Sequence, residues 1–266
     1  MQKGATMKRK LLCALLAAAS LSTSAFAYRP SVPVQVDGHR IAGGYLESGT
    51  TYVPLRSLLD RLGSWEIRWD TDTREAVASS GSRRLTASPG EDTVTVDGQT
   101  LSGQVTLRSG TTYVPLRLVS EALGGQAEWD PYMNGAAVTG GESGYDAIDL
   151  YWLSHVIHAE SGGEPMEGQI AVGNVVLNRV KSRSFPSTVP GVVFDRKNGV
   201  QFEPVSNGTI YKTPSSASVE AAKRALDGER PVGEALYFYA PALSQGIWIT
   251  TNRTYLRTIG CHRFYL

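Results

Sequence analysis

An internal repeat constrains the fold of the first half of this chain. The segment 48–56, SGTTYVPLR, recurs unchanged at 109–117, after an offset of 61 residues. Shorter matches at an offset of 60 residues pair Val-Asp-Gly at 36–38 with 96–98 and Trp-Asp at 69–70 with 129–130. Self-similarity of this kind is typical of repeated supersecondary units. We therefore predict two units, at residues 31–80 and 91–139, followed by a different second half.

The residues within each unit predict a β-hairpin, a helix and a strand. Valines alternate with polar residues up to Asp37-Gly38, a dipeptide that favours a tight hairpin turn. Pro54 suits the first position of a helix, and Gly63 suits its end. The helix between them has apolar residues at helical spacing, Leu55, Leu58, Leu59 and Leu62. The strand is predicted from charged residues that alternate with Trp65, Ile67 and Trp69. These elements make the front half two small α/β units that pack together.

The repeats resemble the copper-amine-oxidase-like N-terminal module found on secreted proteins of Gram-positive bacteria. The Tyr-Val-Pro-Leu-Arg blocks carry the resemblance, and the module would cover residues 28–139. The name implies no copper chemistry here, because His39 is the one histidine within the repeats. We expect no cofactor. Two interpretations of the module stay open, contact with the cell wall or a partner protein, and an inert spacer.

The first 27 residues have the pattern of a secretory signal peptide. Lys8, Arg9 and Lys10 form a basic stretch, residues 11–21 are apolar or small, and Ala-Phe-Ala at 25–27 is a cleavage site. The apolar stretch is too short for a standard transmembrane helix. We expect a secreted protein of the cell wall or spore, with no membrane anchor after cleavage.

The charge and the cysteines exclude several classes of function. The signal peptide takes away four basic residues and no acidic one, which turns a net charge of +1 into −3. A mildly acidic chain lacks the basic surface that nucleic acid or anionic lipid requires, so we expect no nucleic-acid partner. Cys13 leaves with the signal peptide and Cys261 remains alone, which leaves no internal disulfide and no cysteine-based zinc site.

A second domain is predicted at residues 146–266, after a Gly-rich linker at 140–145. Its patterns predict helices at 146–159, 165–181 and 216–226 and strands at 236–239 and 247–250. The second of these helices is apolar nearly all round, which predicts that it is the buried centre of the domain. We predict an α+β chain, with a mainly helical domain behind two small α/β repeat units.

Glu160 is a candidate for acid chemistry. It ends the first helix of the second domain, and a Gly-rich turn at 161–163 and the apolar helix follow it. Partial desolvation in such a place raises the pKa of a carboxyl group. A raised pKa suits a general acid near neutral pH. The residues alone also fit an ordinary solvated glutamate at a helix end.

An ordered set of motifs resembles the SleB-type, spore-cortex-lytic family of cell-wall hydrolases. The set spans almost the entire second domain: Ala159-Glu160, Gly163-Glu164-Pro165, Glu167-Gly168-Gln169, VLNRV at 176–180, Phe185-Pro186, GVVF at 191–194, QFEPV at 201–205, ALYFY at 235–239 with Pro241, and Ile259-Gly260 with His262. The resemblance implies a lysozyme-like fold related to lytic transglycosylases, with Glu160 as the catalytic glutamate. The chain departs from the family pattern at Ala240, where Asn is frequent, and at Cys261; neither departure touches the acid.

The resemblance implies a peptidoglycan lytic transglycosylase, or muramidase-type hydrolase, that cleaves between N-acetylmuramic acid and N-acetylglucosamine. Glu160 would protonate the linking oxygen, and its carboxylate would then deprotonate the sugar's own C6 hydroxyl, which closes a 1,6-anhydro ring. Most glycosidases use two carboxylates, but the resemblance makes no second catalyst of the nearby Glu164, Glu167 or Glu203. Two questions stay open: wall or spore cortex as substrate, and anhydro product or hydrolysis.

Four further residues are candidate contacts to the glycan strand. Gln201 and Phe202 could line the cleft and bind an acetamido group, or simply pack a loop. Tyr239 could stack on a sugar ring or fill the core. Asn178, on the buried helix, could contact substrate or hold loop backbone, because buried amides need partners.

Two other enzyme classes and one binding role compete with this interpretation. A metal peptidase would use His155, His158 and Glu160, but on a helix Glu160 is turned away from His158 and no further ligand pattern follows, so we expect no metal. A Cys–His peptidase would use Cys261 and His262, whose side chains point to opposite faces of a strand. The remaining alternative is a non-catalytic protein that binds wall glycan.

Overall fold

The computed structural model describes residues 30–141, 144–197 and 199–266. The predicted signal peptide, at 1–27, lies outside the described residues, as do two positions of the predicted linker. None of the described helices is both long enough and apolar enough to cross a membrane.

The repeat module is built mainly of short strands. In chain order its elements are β1 (Val34–Val36), β2 (His39–Ile41), β3 (Tyr45–Glu47), β4 (Thr50–Pro54), α1 (Leu55–Leu62), β5 (Glu66–Asp70), β6 (Glu75–Ser80), β7 (Arg83–Ser88), β8 (Thr93–Val96), β9 (Gln99–Ser102), β10 (Thr106–Arg108), β11 (Thr111–Pro115), α2 (Leu116–Ala122), β12 (Gln126–Asp130) and β13 (Gly135–Thr139).

The second domain is mainly helical, as predicted, with one small sheet. Its elements are α3 (Ala147–Ser161), α4 (Met166–Lys181), α5 (Val189–Val193), α6 (Glu203–Asn207), a 3₁₀ turn (Thr209–Tyr211), α7 (Ser216–Leu226), β14 (Tyr237–Tyr239), α8 (Ile247–Asn252), β15 (Tyr255–Ile259) and β16 (His262–Tyr265).

The two repeats interlock, because each sheet of the described module takes strands from both. Strands β4 and β11, the repeated Thr-Thr-Tyr-Val-Pro segments, pair antiparallel with Val53 opposite Val114. The β1–β2 hairpin joins β12–β13, and the β8–β9 hairpin joins β5–β6 through β7. Apolar residues of both repeats share one core. The sequence predicted two units packed together, whereas the structure has one interlocked body. The residues of a hairpin do not specify which repeat the hairpin will pair with.

The predicted hairpin turns form in both repeats. Asp37 and Gly38 have φ values of 49° and 79°, and the equivalent Asp97 and Gly98 have 50° and 87°. Two consecutive left-handed residues are the mark of a type I′ turn, which matches the twist of the strands that it joins. These turns bring β1 onto β2 and β8 onto β9.

Helix α4 is the buried centre of the second domain, as its composition predicts. Every residue from Gly168 to Leu177 is buried, and α3, α5 and α7 pack around it. Helix α7 has the predicted bounds, with Ser215 as its cap: the Ser215 hydroxyl accepts the Ser218 amide hydrogen at 3.1 Å. Strands β14, β16 and β15 form a sheet beside α4.

The predicted strand at 247–250 is wrong, because this segment is helix α8. Its β-branched residues favour a strand, but β16 is already paired on both edges, by β14 and β15. The segment instead satisfies its own polar groups: the Thr250 hydroxyl donates to the Gly246 carbonyl at 3.0 Å, and the Asn252 amide to the Trp248 carbonyl at 2.8 Å.

The repeat module packs directly on the second domain. The Asp130 carboxylate, fully buried at the end of β12, accepts the indole N–H of Trp152 in α3. Buried Gln35 donates its amide to the Ala147 carbonyl at 3.1 Å. Tyr132 stacks on Phe194 at 4.6 Å. The composition of residues 140–145 predicts a flexible linker. It cannot predict these contacts between the module and the second domain, because they join residues far apart in the sequence.

We expect Asp130→Ala to lower the free energy of unfolding by about 1–3 kcal/mol, because it leaves the buried Trp152 N–H unpaired. The matched control is Asp70→Ala, the equivalent residue of the first repeat, whose carboxylate accepts the Asp72 and Thr73 amide hydrogens within an exposed turn. That loss should be clearly smaller, because solvent can replace the partners of the exposed Asp70 carboxylate. Urea denaturation of both variants measures the difference, and equal losses would contradict a role for Asp130 in joining the two parts.

Candidate active site

Glu160 lies in the last turn of α3, and this helix is fixed at both ends. Asp146 caps its start, where the carboxylate accepts the Ile148 and Asp149 amide hydrogens at 2.8 and 2.9 Å. Near its end, the Ser161 hydroxyl turns back to the Ile157 carbonyl at 2.8 Å. The position of Glu160 is therefore set by rigid helix.

Glu160 is half-buried, and its desolvation makes it a carboxyl group that titrates near neutrality. Desolvation raises its pKa from 4.5 to about 7, and the negative charge of Glu203 acts in the same direction. The positive charge of Arg179 opposes the rise but does not cancel it. The last turn of a helix also disfavours negative charge. A group of this kind can hold a proton at neutral pH and release it on demand.

Arg179 is a functional candidate that the motifs did not single out. It lies on α4, only 6% exposed, and its Nε donates to the Leu236 carbonyl at 2.8 Å. The guanidinium carbon lies 5.0 Å from the ring centre of Phe185 and 5.3 Å from that of Phe202. Its Nη1 is buried, without a hydrogen-bond partner in the described chain. Desolvation lowers the pKa of Arg179 to about 10. The sequence feature that could have identified Arg179 is a charged residue within a mostly apolar, buried helix.

A cleft of about 680 Å³ lies beside Arg179. Its lining combines aromatic, charged and amide side chains: Arg179, Ser184, Phe185, Asp195, Val200, Gln201, Tyr237, Phe238, Trp248, Ile249 and Arg253. Trp248 is 56% exposed, and Arg253 lies over its ring at 4.8 Å. Apolar faces with a few fixed polar groups are typical of ligand sites. The sequence analysis did not identify Trp248 as a residue of the cleft, because it assigned 247–250 to a strand.

The two predicted loop contacts differ in their surroundings. Gln201 lines the cleft, and its amide donates to the Gly199 carbonyl at 3.2 Å. Phe202 is 2% exposed and belongs to the core, with Phe238 at 6.5 Å and Arg179 above its ring. The geometry therefore favours packing over direct sugar contact for Phe202, because its ring is buried in the core and does not line the cleft.

Tyr239 and Asn178 have structural partners. On β14, Tyr237 lines the cleft, whereas the Tyr239 ring packs against Tyr265 at 5.9 Å. The Asn178 amide donates to the carbonyls of Gly233 and Ala235 at 2.8 and 2.9 Å. Asn178 thus holds the backbone that leads into β14, which is the structural alternative considered for it.

The other carboxylates have different positions. Glu164 accepts the Cys261 amide hydrogen at 2.9 Å, and a side chain at Gly260, where φ is 55°, would collide with this carboxylate. Glu167 pairs with Arg257 at 3.0 Å. Both glutamates therefore anchor the β15–β16 hairpin. Glu203 starts α6, is exposed, and acts on Glu160 through its charge.

The histidines beside Glu160 are used in packing. His155 is buried, its Nδ1 lies 2.8 Å from the Tyr151 carbonyl oxygen, and burial lowers its pKa to about 4. His158 Nδ1 lies 3.4 Å from the Ser215 amide nitrogen. His262 is buried and packs against the ring of Phe238 at 5.3 Å. These contacts fix the helix that carries Glu160 and the sheet beside it.

Two family models match the chain, one for each half. The copper amine oxidase N-terminal domain matches residues 35–137, and the Cell Wall Hydrolase family matches residues 163–265. The second match begins three residues after Glu160.

Known relatives match the second half. The spore cortex-lytic enzyme of Bacillus cereus is 41% identical over 122 residues, which are 46% of each chain. That of Bacillus subtilis is 37% identical over 121 residues, 46% of this chain and 38% of the relative. The chain thus spans under half the length of these enzymes. A solved structure, the catalytic domain of the germination-specific lytic transglycosylase SleB from Bacillus anthracis, is 41% identical, with coverage of 46% of this chain and 98% of that chain and a TM-score of 0.42.

A shorter relative is matched over most of its length. The cell wall hydrolase CwlJ of Oceanobacillus iheyensis is 30% identical over 103 residues, which are 36% of this chain and 72% of the relative. Together with the family match to residues 163–265, this coverage shows that the chain belongs to the cell wall hydrolase family.

Proposed function

We propose that this protein is a secreted peptidoglycan glycosidase that cleaves the bond between N-acetylmuramic acid and N-acetylglucosamine, as a lytic transglycosylase. The observation that carries the proposal is the half-buried, desolvated Glu160 carboxyl group, whose pKa of about 7 leaves it substantially protonated at neutral pH. Relatives named spore cortex-lytic enzyme and cell wall hydrolase support a glycan substrate in the wall or spore cortex.

The reaction needs one group that first gives and then takes a proton. Glu160 donates its proton to the glycosidic oxygen, the bond from that oxygen to the muramic C1 breaks, and an oxocarbenium-like centre develops at C1. The Glu160 carboxylate then accepts the proton of the C6 hydroxyl, whose oxygen bonds to C1 and closes the 1,6-anhydro ring. Glu160 ends protonated as it began, and no water is consumed. Arg179, in the cleft wall, would stabilise the carboxylate stage, because its charge favours ionised Glu160.

The repeat module would hold the enzyme at its polymeric substrate. Its buried contacts with α3 connect any wall contact of the module to the helix that carries Glu160. Wall attachment and glycan cleavage are then parts of one function, and a chain that held glycan without cutting it would be the alternative.

Glu160→Gln should abolish product formation, because a glutamine amide of the same shape cannot donate a proton. Soluble products from purified wall and cortex sacculi are identified by mass spectrometry for the wild-type and variant proteins. Anhydro-muramic ends from the wild type alone are the expected result. Reducing ends would mean that water is the acceptor. Equal activity of the variant would contradict the assignment of Glu160, and no product from either protein on either substrate would favour the glycan-binding alternative.

Glu203→Gln should move the alkaline limit of activity to lower pH. Removal of this negative charge lowers the pKa of Glu160, so the acid loses its proton earlier as pH rises. Activity at about pH 8 should fall several-fold while activity at about pH 5 stays nearly unchanged. Glu220→Gln, an exposed change on α7, is the control and should leave the pH profile in place. Loss of activity at every pH would instead make Glu203 a second catalytic carboxylate.

Glu160→Gln should also stabilise the fold at alkaline pH. The folded-state pKa of Glu160 lies above its ordinary value of 4.5, so burial carries no ionisation penalty below about pH 4.5. The penalty grows as pH rises towards 7, where only the unfolded chain ionises freely. The variant should therefore gain up to about 3 kcal/mol over the wild type between about pH 4.5 and pH 8. Urea denaturation across this range tests the gain, and a difference independent of pH would contradict a desolvated, proton-holding Glu160.

A further inference from the structure

Two equivalent grooves lie at the two ends of the β4–β11 pair in the repeat module. One has a volume of about 490 Å³ and the other about 430 Å³. In each groove, the hairpin tip of one repeat faces the helix start and the Trp-bearing strand of the other. The antiparallel pairing of Val53 with Val114 places an approximate twofold axis between them.

The same residue types recur at matched positions of the two repeats. The pairs are Gly49 with Gly110, Thr50 with Thr111, Thr51 with Thr112, Leu55 with Leu116, Arg56 with Arg117, Trp69 with Trp129 and Ala76 with Ala136. Other positions differ, as where Arg68 of one groove corresponds to Glu128 of the other. The interlocked strands therefore form two grooves with the same arrangement of side chains.

The tryptophans of the grooves face solvent instead of the core. Trp69 and Trp129 are each 40% exposed, whereas Trp152 of the second domain is fully buried. A half-exposed indole offers a flat apolar surface. The neighbouring threonine hydroxyls and arginine guanidinium supply hydrogen-bond donors and acceptors around it. This combination fits a pyranose ring, which has an apolar face and a polar edge.

We propose that each groove binds a sugar ring of the peptidoglycan glycan strand, so that the module is a bivalent glycan-binding site. The inference rests on the proposed wall substrate and adds a second site to the cleft. Duplicated grooves suit a ligand that presents the same group more than once, and a glycan strand repeats its disaccharide along its length. Two weak contacts to one polymer combine into much tighter binding than either gives alone.

Binding is tested with the mature chain that carries Glu160→Gln, so that the glycan is not consumed. Sedimentation with purified sacculi gives the dissociation constant. Trp69→Ala and Trp129→Ala should each weaken binding roughly tenfold, and the double variant roughly a hundredfold. The double Trp→Phe variant should retain most of the affinity, because phenylalanine keeps an aromatic face. Leu107→Ala is the control, since Leu107 is 44% exposed in the same module and lies outside both lining sets; it should bind like its parent.

Three results would overturn the inference. One is a double alanine variant that binds like its parent, and another is an equal loss from Leu107→Ala. The third comes from competition: if soluble glycan strands, freed of stem peptides by an amidase, fail to displace the parent from sacculi, the peptide is the ligand. Cleavage assays with Glu160 intact separate this inference from the enzyme activity. If the protein cleaves glycan but the tryptophan changes do not weaken its binding, the proposed function stands and the proposal of glycan-binding grooves is wrong.

Discussion

The proposed chemistry of the second domain depends on the desolvation of two opposite charges, Glu160 and Arg179. Each lies near the C-terminal end of a helix, α3 or α4, whose packing buries Arg179 and leaves Glu160 half-buried and desolvated. Removing a charge from water is unfavourable unless the group is neutralised or compensated. Glu160 responds by retaining its proton to about pH 7, and Arg179 is compensated by aromatic faces and a backbone carbonyl.

Helix α4 also positions the backbone around the cleft. Its asparagines donate to loop carbonyls, Asn174 to Glu229 at 2.7 Å and Asn178 to Gly233 and Ala235. Arg179 holds the next carbonyl, that of Leu236. The burial of helix α4 thus fixes the position of β14, the strand that carries Tyr237 into the cleft. The polar residues of a core helix specify this arrangement, whereas its apolar residues supply the driving force.

Local sequence patterns predicted local structure correctly. They failed where contacts between distant residues determine the structure. The Asp37-Gly38 turn, the start of α1 and the bounds of α7 follow from a few neighbouring residues, and all agree with the structure. The exchange of hairpins between repeats and the helix at 247–252 depend on which strand edges are already occupied. Glu160 was selected from a helix end, a Gly-rich turn and, above all, the family resemblance, and its catalytic role stays a prediction. Trp248 and Arg179 were missed, because only the folded chain brings them to one cleft.

The contacts between module and domain change what binding by the module could contribute to catalysis. Uniform binding of a polymer brings enzyme and substrate together but does not accelerate the chemical step. A flexible tether would add only local concentration, set by its reach. Here the buried Asp130–Trp152 and Gln35–Ala147 contacts attach the module to α3 itself. Glycan held in the proposed grooves would therefore stand at a fixed offset from Glu160. Only strands or layers with that spacing could occupy both sites, so the rigid attachment would select among the arrangements of glycan in the wall.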